Sequence, residues 1–305
     1  MPKSELLFLD TSIHIARLLH GPNQRARVNA RIEQYLTASG LVTRQEFKRR
    51  VLKCAAKLLD VLEKRGGCEA AHAYFVRLVT NQFQKRAATI CLGLLGQAEG
   101  LNDTQKTARL KVRLRTLIVT GLDKFDKALD LVSPESGCAC GAHNVRELPA
   151  EGKKPKRFDF GPERCSDPRA SECGISQFLS DCGQQRECLL QQLGAIPEDQ
   201  KTKELKAAEL FLQATDANLS NAPAHDPCLK VGDAVIALEA SAAGASTFYT
   251  MNYKESEYLC RALGQTLIVR PADDMLDDTI HQNVSTRDAQ PPAETVAPRM
   301  ESDLQ

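Results

Sequence analysis

The chain has 305 residues, with 40 lysines and arginines against 39 aspartates and glutamates and a net charge of +1. That length supports a well-buried core and more than one domain, and the balanced charge excludes attraction of nucleic acid or membrane by bulk charge alone. No apolar run approaches the roughly 18 residues of a membrane span, so no membrane association is expected.

Met1-Pro2-Lys3-Ser4-Glu5 leads directly into Leu6-Leu7-Phe8-Leu9-Asp10, with no signal-peptide pattern, and a cytoplasmic setting is expected. Eleven cysteines, an odd number, then read as thiols or metal ligands rather than as a disulfide framework. Residues 5–10 predict a parallel strand, apolar throughout because both its faces are covered. Ser12 is a candidate cap for a helix with Ile13, Ala16 and Leu19 on one face, and residues 28–37 predict a second helix. Thr43 is placed to cap a third, from about Arg44 through Glu46 to Glu63, with Val51, Cys54, Ala55, Leu58, Leu59 and Leu62 at helical spacing and Gly66-Gly67 as its stop.

Two long helices are expected at 68–95 and 104–132, forming an antiparallel hairpin. In the second, Leu110, Leu114, Leu117, Ile118, Leu122, Phe125 and Leu129 make one stripe, with Lys106, Arg109 and Arg113 on another face and Asn102 or Asp103 as cap. Residues 133–173 lose apolar periodicity and read as a loop, including the basic run Lys153-Lys154-Pro155-Lys156-Arg157. Helices near 174–193 and 199–217 return the chain to the core, the apolar helix after Gly232 follows, and strands near 246–250 and 266–269 close the sheet. Beyond Pro271 the composition is polar and acidic with no core pattern, and a disordered tail is expected. There is no internal repeat.

Acidic residues stand at defined places beside several apolar elements. Asp10 follows the first strand, at the edge where open α/β sheets bind ligands. Glu46 lies near the start of a basic helix. Asp233 opens the helix Ala234–Ala243, too apolar to be exposed. Asn252 and Glu255 follow the strand Thr247-Phe248-Tyr249-Thr250. The plain alternatives are helix caps for Asp10 and Asp233 and a solvated acid for Glu46. Gathered in one place, however, carboxylates repel one another unless a hard divalent cation lies between them. The set therefore points to Mg2+ or Mn2+ and to phosphodiester chemistry, with Asn252 able to offer a carbonyl oxygen but no charge. Ser12 and Thr250 are candidates to hydrogen-bond a carboxylate or the scissile phosphate. Glu239, inside the apolar helix, reads as structural. Nothing points to a protein nucleophile.

In order and spacing, these segments resemble the PIN domain, a family of metal-dependent nucleases that mostly cut RNA. Leu-Phe-Leu-Asp10-Thr-Ser is similar to its first motif, Gly232-Asp233-Ala-Val-Ile-Ala-Leu-Glu-Ala to its third and Thr250-Met-Asn252-Tyr-Lys-Glu255 to its fourth, with Glu46 matching the second acid. The resemblance covers roughly residues 4–60 and 200–272. It implies a three-layer α/β/α fold with a central parallel sheet, catalytic Asp10, Glu46, Asp233 and Asn252, and a divalent ion on Asp10, Glu46, Asp233 and Glu255. Where many members carry Asp, this chain has Asn252, with Glu255 one turn on. The core is similar to that of toxins from toxin–antitoxin pairs, but those are generally compact single domains.

The expected organisation is therefore a discontinuous PIN-like domain at 1–63 and 196–272, an α-helical insertion at 64–195 and a tail at 273–305. Within the insertion, Cys138, Cys140 and His143, completed by Cys165 or Cys173, are candidate ligands of a structural Zn2+. The alternative is a set of free thiols in a loop, with Cys54, Cys91 and Cys260 as small buried hydrophobes. Basic residues in 44–53, 106–115 and 153–157 could follow an RNA backbone, or simply form solvated faces; the absence of Trp disfavours base stacking. Three functions compete: an RNA nuclease, a weak or inactive PIN module that binds RNA or a protein partner or inhibitor, and a zinc-stabilised adaptor.

Overall fold

The computed structural model describes residues 5–80, 84–149, 157–162, 167–170, 173–213, 231–269 and 280–281. Strand β1 (Leu6–Leu9) is followed by α1 (Thr11–Leu19), α2 (Pro22–Ile32), β2 (Leu36–Gly40) and α3 (Leu41–Phe47). A π-helical turn, Lys48–Leu52, continues α3 into α4 (Lys53–Arg65); α5 (Cys68–Val79), α6 (Lys85–Leu95) and α7 (Asp103–Lys127) follow. Next come β3 (Leu131–Ser133), the short α8 (Ala139–Ala142), β4 (Arg146–Glu147) and β5 (Phe158–Asp159). After a 3-10 turn at Pro168–Ala170, the chain forms α9 (Ile175–Asp181), α10 (Gly183–Gly194) and α11 (Lys203–Gln213). Helix α12 (Gly232–Ala242), β6 (Thr247–Thr250), α13 (Tyr253–Ala262), β7 (Thr266–Val269) and β8 (Ile280–His281) complete the described elements.

The fold is a three-layer α/β/α arrangement around a sheet of order β3-β2-β1-β6-β7-β8. The first five strands run parallel, and β8 pairs antiparallel with β7. Alternation along β1 assigns the two faces. Phe8 joins Ala38, Phe248 and Leu267 against α9 to α13, with Phe8 and Phe248 stacked at 5.8 Å. Leu7 and Leu9 join Tyr249 and Ile268 against Ile13 of α1 and Val28 and Ile32 of α2. A separate apolar cluster, including Leu58, Leu62, Phe75, Cys91, Leu114 and Ile118, holds α4 to α7 together as a helical lobe.

Several expectations change. The helix expected at 28–37 stops at Ile32, and β2 takes its place. The helix expected at 68–95 is two, α5 and α6. That expected at 104–132 ends at Lys127, and β3 pairs with β2 through Ala38↔Leu131, Ser39↔Val132 and Gly40↔Ser133. The span 64–195, expected to be helical and outside the sheet, thus contributes a sheet strand. The physical reason is that Leu131–Ser133 completes the exposed edge of β2, with Asp130 accepting from the backbone N–H (2.8 Å) and hydroxyl (2.9 Å) of Thr37. The expected helix at 174–193 is broken into α9 and α10. The expected loop at 133–173 contains α8 and the β4–β5 pair. Lys153 to Lys156, Cys165 and most of the tail lie outside the described residues, although Ile280–His281 adds β8 to the sheet. Among the described residues no helix is long and apolar enough to cross a membrane.

Candidate functional site

Residues from four elements meet beyond the carboxyl ends of β1 and β6. Asp10 follows β1 directly, its backbone N–H bonded to Tyr249 O at 3.0 Å. Its Oδ1 accepts from the backbone N–H of Thr11 at 2.6 Å, and its Oδ2 accepts from that of Ser12 at 3.3 Å, from Ser12 Oγ at 2.6 Å and from Thr250 Oγ1 at 2.9 Å. Asp10, and not Ser12, is therefore the cap of α1. Capping and a ligand role are compatible, because a carboxylate offers about four lone-pair directions. The two hydroxyls in turn accept from the backbone of the following turn: Met251 N–H on Ser12 Oγ (2.8 Å) and Asn252 N–H on Thr250 Oγ1 (3.0 Å). Asn252 occupies the cap position of α13 without a capping side-chain hydrogen bond.

Glu46 is buried on α3. Burial holds its carboxyl above the usual range, the Asp10 charge adds to this, and Arg50, Thr11 and Arg49 oppose it. The Arg50 guanidinium is 3.1 Å from Glu46 Oε1. Gly232 brings the first turn of α12 against this acid: a Cβ there would lie 2.9 Å from Glu46 Oε1. The next residue, Asp233, is pushed up to about 7, first by burial and then by the charges of Asp10, Glu46 and Glu255, with Arg50 acting against them. Asp10, Glu46 and Glu255 therefore all act on Asp233, and Asp10 acts on Glu46 as well. Asp10 and Asp233 also line one small pocket with Ser256, Leu259 and Cys260, whose thiol is raised by burial and by Asp10.

The donor set is chemically suited to a hard cation: oxygen ligands on buried or half-buried acids, and more acidic groups than Arg50 offsets. As they stand, though, no three His, Cys, Asp or Glu side chains among the described residues form a group that could hold a metal ion.

The same finding applies to the expected zinc ligands. Cys138 and Cys140 are buried in the apolar cluster with Ile175, Phe178 and Leu179, whereas His143 faces solvent. Two buried cations, Arg44 on α3 and Lys48 at the start of the π-helical turn, hold this segment. Lys48 Nζ donates to the carbonyls of Cys140 and His143, and Arg44 donates to that of Gly141 while pairing with Asp126 at 2.8 Å. Burial draws the Lys48 ammonium down to about 8.

Glu239 has the structural role read for it. Wholly buried, it accepts at Oε1 from the backbone N–H of Val42 (3.0 Å) and from Ser136 Oγ. Glu239 therefore serves the start of α3, where Thr43 was expected. Its carboxyl is pushed up to about 7 by burial, against the pull of these donors. Arg50 was not singled out in the sequence; the available signal was its position one helical turn beyond Glu46.

Comparison with protein-family models, curated proteins and solved structures gives no match.

Proposed function

We propose that the chain is a PIN-type nuclease that hydrolyses RNA phosphodiester bonds with Mg2+ or Mn2+, acting in the cytoplasm. The observation that carries this reading is a meeting of acids from separate elements: Asp10 and Asp233 line one pocket, and Gly232, next to Asp233, stands against the Glu46 carboxylate. Such a concentration of like charge is costly unless a cation or a proton relieves it. Asp10, Glu46, Asp233 and Glu255 would hold the ion, and Asn252 could add a neutral carbonyl oxygen. When bound, a divalent ion activates water for in-line attack and neutralises phosphate oxygens.

The chain's own residues supply position. Ser12 and Thr250 fix the Asp10 carboxylate through two hydroxyl hydrogen bonds, so its oxygens hold one orientation across the sheet edge. Gly232 lets the first turn of α12 approach the Glu46 carboxylate, which a Cβ there would meet at 2.9 Å. Ile236, Ala237 and Phe248 line the apolar side of the pocket and limit water there.

A second reading is a non-catalytic module that binds RNA or a protein partner. The neutral Asn252 and the absence of a ready three-ligand group among the described residues favour it. The deciding experiment incubates single-stranded and structured RNA with the protein and Mg2+ or Mn2+, beside Asp10→Asn. Metal-dependent cleavage lost in the variant supports the nuclease. RNA or partner binding with no cleavage under any of these conditions supports the module.

A further inference from the structure

Arg50 differs from Arg44 and Lys48 in the same basic run. Arg44 and Lys48 are turned inward and committed to Asp126 and to the carbonyls of the α8 segment. Arg50 lies on the opposite side, 44% exposed, beside the acid cluster. It sits within the π-helical turn Lys48–Leu52. Single π-helical turns inside α-helices are rare and occur frequently at functional sites.

Among the described residues its ion pair runs through Nη2, at 3.1 Å from Glu46 Oε1. A guanidinium carries five N–H donors in a planar fork that matches two phosphate oxygens. Its charge also lowers the proton affinity of both Glu46 and Asp233. An RNA phosphate entering here meets four carboxylates, and the charge of a bound divalent ion would be largely consumed by them. A second, fixed cation at the mouth removes that repulsion.

We infer that Arg50 is a substrate-binding residue, which takes a phosphodiester oxygen of bound RNA with guanidinium donors that Glu46 does not use. The inference rests on the nuclease reading of the same site. No proton or bond changes hands in this step; one ion pair is shared or exchanged for another.

The test uses the full chain and the variants Arg50→Lys, Arg50→Gln and Arg50→Ala. Mn2+ binding is measured by calorimetry without RNA, and KM and kcat are measured with Mg2+ on a fluorescein-labelled single-stranded RNA. Arg50→Ala and Arg50→Gln should raise KM on the order of tenfold, as loss of a bidentate charged contact does, with Arg50→Lys between them and wild type. Mn2+ binding should stay equal or tighten, because a competing positive charge is removed. KM within twofold of wild type, or weaker Mn2+ binding in Arg50→Gln, overturns the inference and makes Arg50 a structural partner of Glu46. If wild type neither binds Mn2+ nor cleaves RNA, the nuclease reading fails first and this inference falls with it. Half-exposure makes misfolding an unexpected outcome, and thermal melts of all three variants check it; Arg50→Lys carries the comparison if the shorter side chains unfold.

Discussion

Glu239 on α12 bonds to the backbone N–H of Val42 at 3.0 Å, and Val42 stands one turn before Glu46 on α3. The helix that carries Asp233 thus also fixes the helix that carries Glu46. Removing this buried acceptor strands the amide of Val42 and the hydroxyl of Ser136. Glu239→Ala should cost about 2–4 kcal/mol, from the cavity and the unsatisfied donors together. Glu239→Gln should cost less, because an amide oxygen can still accept. Denaturant unfolding of the three proteins measures the order.

The same residue gives stability a pH dependence of definite sign. The Glu239 carboxyl rises from 4.5 to about 7 on folding, so the folded chain holds a proton that the unfolded chain releases between those values. Stability should therefore fall as pH rises from about 4.5 to 7, because the folded state binds more protons than the unfolded one in that window. Glu239→Gln should flatten this slope in chemical unfolding measured from pH 4.5 to 8. An equal slope in both proteins would contradict it.

Gly40 is required by the same contact. A Cβ at this position would run into the Glu239 carboxylate, which is buried and has no room to retreat. Gly40→Ala should destabilise the protein by roughly 1–3 kcal/mol, the usual cost of overpacking. A thermal melt checks this, and Gly21→Ala, where a Cβ meets nothing within 4 Å, is the control.

Asp10→Asn should separate function from fold. Asn caps a helix about as well as Asp, so α1 keeps its start. One charge of the repelling set disappears, and the melting temperature without added metal should hold steady or rise. Metal-dependent RNA cleavage should fall to background. A large loss of stability would show that the Asp10 carboxylate is needed for folding itself.

Asn252→Asp adds a carboxylate where the chain has an amide. Calorimetry should find Mn2+ bound more tightly, with metal-free stability lowered by an added like charge next to Thr250, the partner of Asp10. Unchanged Mn2+ affinity would mean that Glu255 already supplies the charge at that end of the site.

The sequence reveals the parts of the fold whose signal is local. Leu6–Leu9 reads as a buried strand because every residue is large and apolar, and Gly232-Asp233 announces a helix too apolar to face water. β2 gives no such signal: Leu36-Thr37-Ala38-Ser39-Gly40 has one large apolar residue. Its burial depends on distant partners, with Ser39 Oγ donating to Leu9 O at 2.8 Å, Thr37 bonding to Asp130 and Glu239 packed against Gly40. β3 is hidden because its residues continue the apolar stripe of α7. The acids of the candidate site are legible through their placement beside buried elements. Arg50 is less so, since a basic run ordinarily means a solvated helix face; its place one turn beyond Glu46 and its action on Asp233 set it apart from Arg49.

Strands β2 and β3 are hydrogen-bonded neighbours, yet residues 41–130 lie between them in the chain. Their pairing is a long-range contact and forms slowly when the intervening chain is loose. Helices α4 to α7 bury a core of their own, built largely from contacts near in sequence, which forms quickly. Once folded, that lobe shortens the effective span and delivers Leu131 to the edge of β2. A cavity made deep in the lobe, for example by Ile118→Ala, would then slow completion of a sheet that Ile118 never touches.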